Sequence, residues 1–140
     1  MRMFLASVLL ALAVIPGCSK ANEKAKQEHV DQEVAAVSID QLETMLANNA
    51  CIPVDANGEQ TRRKLGTIPG AVLLSDSETF ATSELPVDKT KQLVFYCANT
   101  SCGASDEAAN KARTAGYTNV KVLPEGIAGW RKAGKKIQNI

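Results

Sequence analysis

The sequence predicts a single α/β domain in which a parallel sheet is covered by helices on both faces. The chain has 140 residues, a length that suits one domain and leaves no room for two ordinary ones. Hydrophobic residues make up 45% of the chain, which is enough for a core. Short β-prone apolar runs alternate with helical segments, and this alternation is typical of βαβ units in a parallel sheet.

Residues 1–17 are predicted to be a signal peptide rather than part of the fold. Arg2 is the only charged residue before Lys20, and the run from Phe4 to Ile15 has Ser7 as its one polar residue. Such a run is shorter than the roughly 20 residues that a membrane-spanning helix needs. A positive start followed by a short apolar run is typical of a secretory signal.

The apolar run ends in Ile15-Pro16-Gly17-Cys18, which resembles the lipobox of bacterial lipoproteins. The resemblance implies cleavage before Cys18 and acylation of its thiol and amine, for example with palmitate. The protein would then be lipid-anchored in the bacterial cell envelope, facing the periplasm or the cell exterior, where conditions are oxidising. The alternative is cleavage after Ala13, which would leave Cys18 as a free thiol.

Residues 18–36 are predicted to be a lipid-anchored tether, and residues 37–140 the folded domain. The tether is polar and mixed in charge, and it contains His29, the only histidine, which we interpret as solvated. The chain has 16 basic and 15 acidic residues, a net charge of +1. That balance excludes the basic excess on which nucleic-acid binding depends.

Helices are predicted from caps and apolar spacing. Ser38 and Gln41 form a capping-box pattern at the first helix, and Ser105 is expected to cap the helix that Gly116 ends. Two shorter helices are predicted over Thr61 to Leu65 and Glu125 to Ala133. The basic run of Arg62, Arg63 and Lys64 is expected to be a solvated helix face, and Trp130 to pack in the core.

Strands are predicted where β-prone apolar residues cluster. They cover Cys51 to Val54, Ala71 to Leu74, Leu93 to Tyr96 and Val120 to Leu123. Cys51 lies in the first of these runs and is expected to be inert core. Asp55 follows that run and is expected either to orient the loop that begins at Cys97 or to cap a turn.

Reactive chemistry is expected at Cys97. In open α/β sheets, ligands bind beyond the carboxyl ends of the strands, and Cys97 stands at that end of the most apolar strand. The loop after it leads into a helix N-terminus, whose amides and dipole can bind an anion and stabilise a thiolate. Asp106 and Glu107 oppose that effect, and the sequence leaves the balance open.

Several motifs, in order, resemble those of the rhodanese-like domains, a family of sulfurtransferase modules. The strand that ends in Cys97 resembles the one that carries the family's persulfide-forming Cys. Gly66-Thr67-Ile68-Pro69-Gly70-Ala71 resembles the signature G-H-I-P-G-A, with Thr67 in place of His. The segments from Gly116 to Val120 and from Gly126 to Trp130 resemble the family's closing motif.

The resemblance covers residues 37–137, and Asp55 stands where the family has an acidic residue. It implies an α/β class fold, a single rhodanese-like domain whose parallel five-stranded sheet has helices on both faces. It also implies Cys97 as the catalytic nucleophile. The chemistry requires no metal or organic cofactor, and its partners would be a small sulfur donor and a thiol acceptor.

The active loop departs from the family pattern. From Cys97 to Ser105 it is about two residues longer than the common form and contains no Arg or Lys, and Asn57 stands where an Arg often follows the acidic residue. Thiosulfate is therefore a doubtful substrate, and a clamp for tetrahedral oxyanions is disfavoured. Substrate would be held by Asp55 and by the loop residues Ala98, Asn99, Thr100, Ser101, Gly103, Ala104 and Ser105.

The longer loop contains a second cysteine, Cys102, for which three readings stay open. It is a resolving thiol that attacks a persulfide on Cys97, a partner in a passive loop disulfide, or an unpaired residue. Two Cys without a nearby His fall short of a zinc site.

Three functions follow as hypotheses. The first is sulfur transfer through a persulfide on Cys97, resolved by Cys102. The second is thiol–disulfide redox chemistry with the same two cysteines, which would need a thiol reductant protein as partner. The third is a non-catalytic rhodanese-like binding module.

Overall fold

A five-stranded sheet runs through the middle of the protein, and all of its strand pairs are parallel. The computed structural model describes residues 33–140; the predicted signal peptide, Cys18, His29 and the tether up to residue 32 lie outside the described residues. The strands are β1 (Ala35–Ala36), β2 (Ile52–Asp55), β3 (Val72–Leu73), β4 (Leu93–Tyr96) and β5 (Val120–Leu123). Their spatial order is β1-β5-β4-β2-β3, which places β4 at the centre.

Strand β1 lies in the last two residues assigned to the tether, so the folded part begins before residue 37. Ala35 pairs with Lys121 and Ala36 with Val122, and Val34 next to them is buried. Two alanines carry no β-strand pattern of their own. Their conformation is set by β5, which lies far away in sequence, and this is why sequence reasoning missed the strand.

In the described part of the chain, four α-helices cover the sheet, together with a short 3-10 turn at Thr82–Glu84. They are α1 (Ile39–Ala47), α2 (Glu59–Leu65), α3 (Ala104–Thr114) and α4 (Gly126–Lys132). The capping box predicted for α1 is confirmed: Gln41 N–H donates to Ser38 Oγ at 3.2 Å, and Ser38 N–H donates to Gln41 Oε1 at 2.9 Å. No helix within residues 33–140 is long and apolar enough to cross a membrane.

The start predicted for α3 was wrong by two residues. Gly103 is its N-cap, and Ser105 lies inside the first turn, where it is buried. A buried Ser105 hydroxyl lies 3.4 Å from the sulfur of Cys97, so tertiary packing uses this side chain instead of a local cap.

The helices lie on both faces of the sheet, as predicted. On one face α3 packs its alanines Ala108, Ala109 and Ala112 against β4 and β5, since small side chains allow close approach. On the other face α1 and α4 form a second core, which includes Leu42 and the buried Trp130. The core role predicted for Trp130 is confirmed.

Candidate active site

Cys97 follows β4 directly, at the carboxyl edge of the central strand. All four residues of β4 are buried, and Cys97 itself is 2% exposed. The loop that it begins ends at Gly103, where α3 starts. Cys97, the predicted nucleophile, therefore lies between a buried strand and a helix N-terminus, where the sequence predicts it.

A disulfide joins Cys97 to Cys102, with 6.3 Å between the two Cα atoms. The reading of Cys102 as an unpaired residue is thereby corrected, because the longer loop folds back on itself. Cys51 is free and does not pair with either loop cysteine. The resolving-thiol reading and the passive-disulfide reading are both compatible with this bond.

Asn99 shapes the loop from within. Its side-chain Oδ1 accepts from Ser101 N–H at 3.0 Å, and its carbonyl accepts from Cys102 N–H at 3.1 Å. Two of the loop amides expected to face an anion are thus engaged inside the loop. Among the other candidate residues, Thr100 and Gly103 are exposed, and the flanking Ala98, Cys102 and Ala104 are partly exposed.

Neutral oxygen atoms surround the sulfur of Cys97. The Cys102 carbonyl oxygen lies 3.2 Å from it and Ser105 Oγ lies 3.4 Å from it. In the disulfide the sulfur has no proton, so Ser105 is the donor in its contact. In the reduced protein the same hydroxyl can donate to a Cys97 thiolate, whereas the Cys102 carbonyl favours the protonated thiol.

The N-terminus of α4 holds the first two loop residues. Ile127 N–H donates to the Cys97 carbonyl and Ala128 N–H to the Ala98 carbonyl, both at 2.9 Å. Gly126 has φ +59°, and a Cβ atom there would lie 2.5 Å from the Cys97 carbonyl oxygen. Only glycine permits this approach. The sequence signal for it was the glycine that opens the second segment of the closing motif.

Asp55 is completely buried and does not meet solvent. Its Oδ1 accepts from Asn57 N–H at 2.8 Å, so the turn-capping role is confirmed. Its Oδ2 accepts from the phenol of Tyr96 at 2.7 Å, and Tyr96 accepts in turn from Ile68 N–H at 3.0 Å. Burial and the Asp55 charge raise the pKa of Tyr96, so the phenol stays protonated and donates. Because Tyr96 precedes Cys97, this network anchors the strand end that leads to Cys97.

The solvated face predicted at residues 62–64 was wrong for Arg62, although Arg63 and Lys64 are exposed. Arg62 is 7% exposed. Its Nη2 donates to the carbonyls of Asp55 at 2.9 Å and Leu74 at 2.7 Å. Its Nε lies 3.4 Å from Asp55 Oδ1. The buried Asp55 carboxylate attracts the Arg62 guanidinium into the core. The feature of the sequence that could have indicated this network is the phenol of Tyr96, which stands in an otherwise apolar strand.

A separate cavity of about 470 Å³ lies at the opposite edge of the sheet, where the strands begin. Cys51 lines it together with Pro53 and Trp130. Cys51 was expected to lie inside the strand and in the core, but it precedes β2 and is half-buried. Burial raises its pKa to about 11, so this thiol is poorly reactive at neutral pH, as expected of an inert residue.

Comparison with known families supports the assignment that the motifs suggest. The model of the rhodanese-like domain matches residues 38–133, which is more than half of the chain. The chain belongs to the rhodanese-like domain family. None of the curated proteins compared with the chain matches it.

Solved structures share the rhodanese-like fold. BH2092 from Bacillus halodurans is 23% identical with a TM-score of 0.67, over 83% of this chain and 85% of that chain. The human single-domain sulfurtransferase TSTD1 is 21% identical with a TM-score of 0.57, over 71% and 96%. SseA from Escherichia coli, described as a 3-mercaptopyruvate sulfotransferase, is 24% identical with a TM-score of 0.61, over 76% of this chain and 51% of that chain. At these identities the likeness shows the fold.

Proposed function

We propose that the protein is a sulfurtransferase that takes a sulfane sulfur onto Cys97 and releases it with the help of Cys102. The observation that carries the proposal is the bond between these two cysteines inside the active loop of a rhodanese-like domain. Cys97 lies at the carboxyl end of the central strand, and Cys102 comes within bonding distance of its sulfur. A sulfur carried on Cys97 would therefore lie next to a second thiol.

The transfer has two balanced steps. The Cys97 thiolate attacks the outer sulfur of a persulfide donor R–S–SH; the new sulfur–sulfur bond forms on Cys97, the donor's bond breaks, and R–S⁻ leaves with the electron pair. The Cys102 thiolate then attacks Cys97 Sγ, forms the disulfide and expels hydrosulfide. Two thiols are oxidised, and the sulfane sulfur is reduced to sulfide. A dithiol reductant protein would restore the two thiols.

The charge of the loop favours donors with little charge. No Arg or Lys lies between Cys97 and Ser105, and the groups within hydrogen-bonding distance of the sulfur are a carbonyl and a hydroxyl. Dianionic thiosulfate is usually held with help from a cation. We therefore propose persulfides and polysulfides as the donor class.

The test is the intact mass of the reduced protein after exposure to inorganic polysulfide. We expect the parent protein to become two hydrogens lighter and to release hydrosulfide. Cys102→Ser should stop at a product one sulfur atom heavier, with the added sulfur mapped to the peptide that contains Cys97. Cys97→Ser should give neither result in the loop.

Cys51→Ser is the matched control, because it removes a cysteine that lies at the other edge of the sheet. It should behave as the parent does. Full sulfur transfer by Cys97→Ser would refute the proposal.

A second function, thiol–disulfide exchange without sulfur, is favoured by the same disulfide. The two differ in whether a persulfide forms on Cys97, because polysulfide that oxidises the two thiols releases hydrosulfide in either case. If polysulfide oxidises the loop and no Cys102→Ser persulfide forms at Cys97, the redox function replaces sulfur transfer.

We further propose that the protein is anchored in the cell envelope through a lipid on Cys18. The supporting observation is the lipobox-like Ile15-Pro16-Gly17-Cys18 at the end of a short apolar run. Two or more acyl chains are enough for stable membrane attachment.

A further inference from the structure

Asn57 carries a buried side-chain hydrogen-bond donor that has no partner within residues 33–140. The residue is 6% exposed, and its side-chain Nδ2 is without a hydrogen-bond partner. The turn does not need this amide, since the contact with Asp55 Oδ1 is made by the backbone N–H of Asn57. A buried polar group left unsatisfied destabilises the folded protein, so it calls for a physical explanation.

The other two unsatisfied buried atoms found within residues 33–140 are of a different kind. Arg62 Nε lies 3.4 Å from Asp55 Oδ1 and is compensated by that charge. Glu125 Oε2 is an acceptor. Asn57 Nδ2 is thus, in this part of the chain, the buried side-chain donor with neither a hydrogen bond nor an ion pair.

Asn57 lies at the edge of the sheet where Cys97 lies. Strands β2 and β4 are neighbours, with Asp55 opposite Tyr96, and the ladder continues when Ala56 N–H donates to the Tyr96 carbonyl at 2.9 Å. Ala56 and Cys97 also belong to one buried cluster. Neighbouring strands are about 4.8 Å apart, so Asn57, the next residue along, leaves the sheet beside the start of the active loop.

We propose that the Asn57 side-chain amide binds the sulfur atom that Cys97 carries in its persulfide form. The inference rests on the sulfur transfer proposed above and names a residue that holds its intermediate. The disulfide contains no terminal sulfur, which explains why the donor has no partner in this state. An uncharged N–H donor suits a singly charged persulfide, and it agrees with a loop that has no cation.

The test compares Asn57→Leu with its parent in a Cys102→Ser background, where a persulfide cannot be resolved. We expect Asn57→Leu to lower the yield of Cys97 persulfide at equilibrium with a glutathione persulfide donor by about tenfold, since hydrogen bonds to charged groups are among the stronger ones. The melting temperature should stay equal or rise, because leucine of similar volume removes an unsatisfied group. Asn48→Leu, at an exposed residue that ends α1, is the matched control and should leave the yield unchanged.

A merely structural role for Asn57 would also change the alkylation rate of reduced Cys97, whereas the proposal predicts a change in the persulfide alone. Asn57→Asp provides a second test if the leucine variant folds poorly, because aspartate has nearly the same size and shape as asparagine but a carboxylate oxygen in place of the amide donor. It should lower the persulfide yield at least as much.

Parental yields in a folded Asn57→Leu or in Asn57→Asp would overturn the inference and leave sulfur transfer intact. If the parent itself forms no persulfide on Cys97, the proposed function fails, and that result is distinguishable from the first.

Discussion

Tyr96 shows how a single side chain can fix the position of its neighbour, here Cys97. Its phenol donates to Asp55 Oδ2 and accepts from Ile68 N–H, two buried polar atoms for which it is the hydrogen-bond partner found within residues 33–140. Because Cys97 is the next residue, any displacement of Tyr96 moves the sulfur. The contribution of the network is therefore both to stability and to the position of Cys97.

At this scale we predict that Tyr96→Phe lowers the free energy of unfolding by about 1–3 kcal/mol, since it leaves Asp55 Oδ2 and the Ile68 amide without their hydrogen-bond partner. Tyr117→Phe is a matched control: it removes one buried phenol, whose hydrogen bond goes to the Pro86 carbonyl at 2.7 Å. Urea unfolding should show the larger loss for Tyr96→Phe, and only that variant should slow persulfide formation on Cys97. Equal losses in both variants would argue against the network.

At the scale of elements, the active loop is held between two helices. Helix α3 begins where the loop ends, and the N-terminal amides of α4 bind the carbonyls of Cys97 and Ala98. These contacts hold the Cys97 backbone and do not involve its side chain. The contact requires a residue without a side chain at the start of α4.

We predict that Gly126→Ala both destabilises the protein and displaces the loop. Its Cβ would lie 2.5 Å from the Cys97 carbonyl oxygen, and the backbone there has φ +59°. Gly134→Ala isolates the conformational cost, since Gly134 has φ +72° and nothing within 4 Å of the added atom. That cost is about 1–2 kcal/mol, and overpacking adds roughly another 1–3 kcal/mol at Gly126.

Thermal unfolding and the alkylation rate of reduced Cys97 measure the two effects. Gly134→Ala should lose some stability and keep the parental alkylation rate, whereas Gly126→Ala should change both. A parental rate in Gly126→Ala would show that the contact with α4 does not position the loop.

At the largest scale, the parallel sheet places the start of the folded domain and Cys97 at opposite edges. Strand β1 begins at the edge where all strands begin, and Cys97 lies at the opposite edge, where they end. The described part of the chain therefore enters the domain at the edge opposite Cys97.

We predict that Cys18→Ser moves the protein from the membrane fraction to the soluble fraction of a bacterial host and leaves persulfide formation on Cys97 unchanged. The proposed lipid on Cys18 supplies the membrane affinity, so its loss should release the protein and leave the folded domain unchanged. Fractionation followed by intact mass measures both. Identical fractionation of variant and parent would contradict the lipid anchor.

Patterns within short stretches of the chain were enough to predict the fold class, the strand that leads to Cys97, the capping box of α1 and the family. Long-range packing is what joins Cys97 to Cys102, buries Arg62 against Asp55 and brings Ser105 to the sulfur. It also makes Ala35 and Ala36 a strand. Each of these depends on groups brought together by the sheet, and a buried charge or an unpatterned strand takes its conformation from partners distant in sequence.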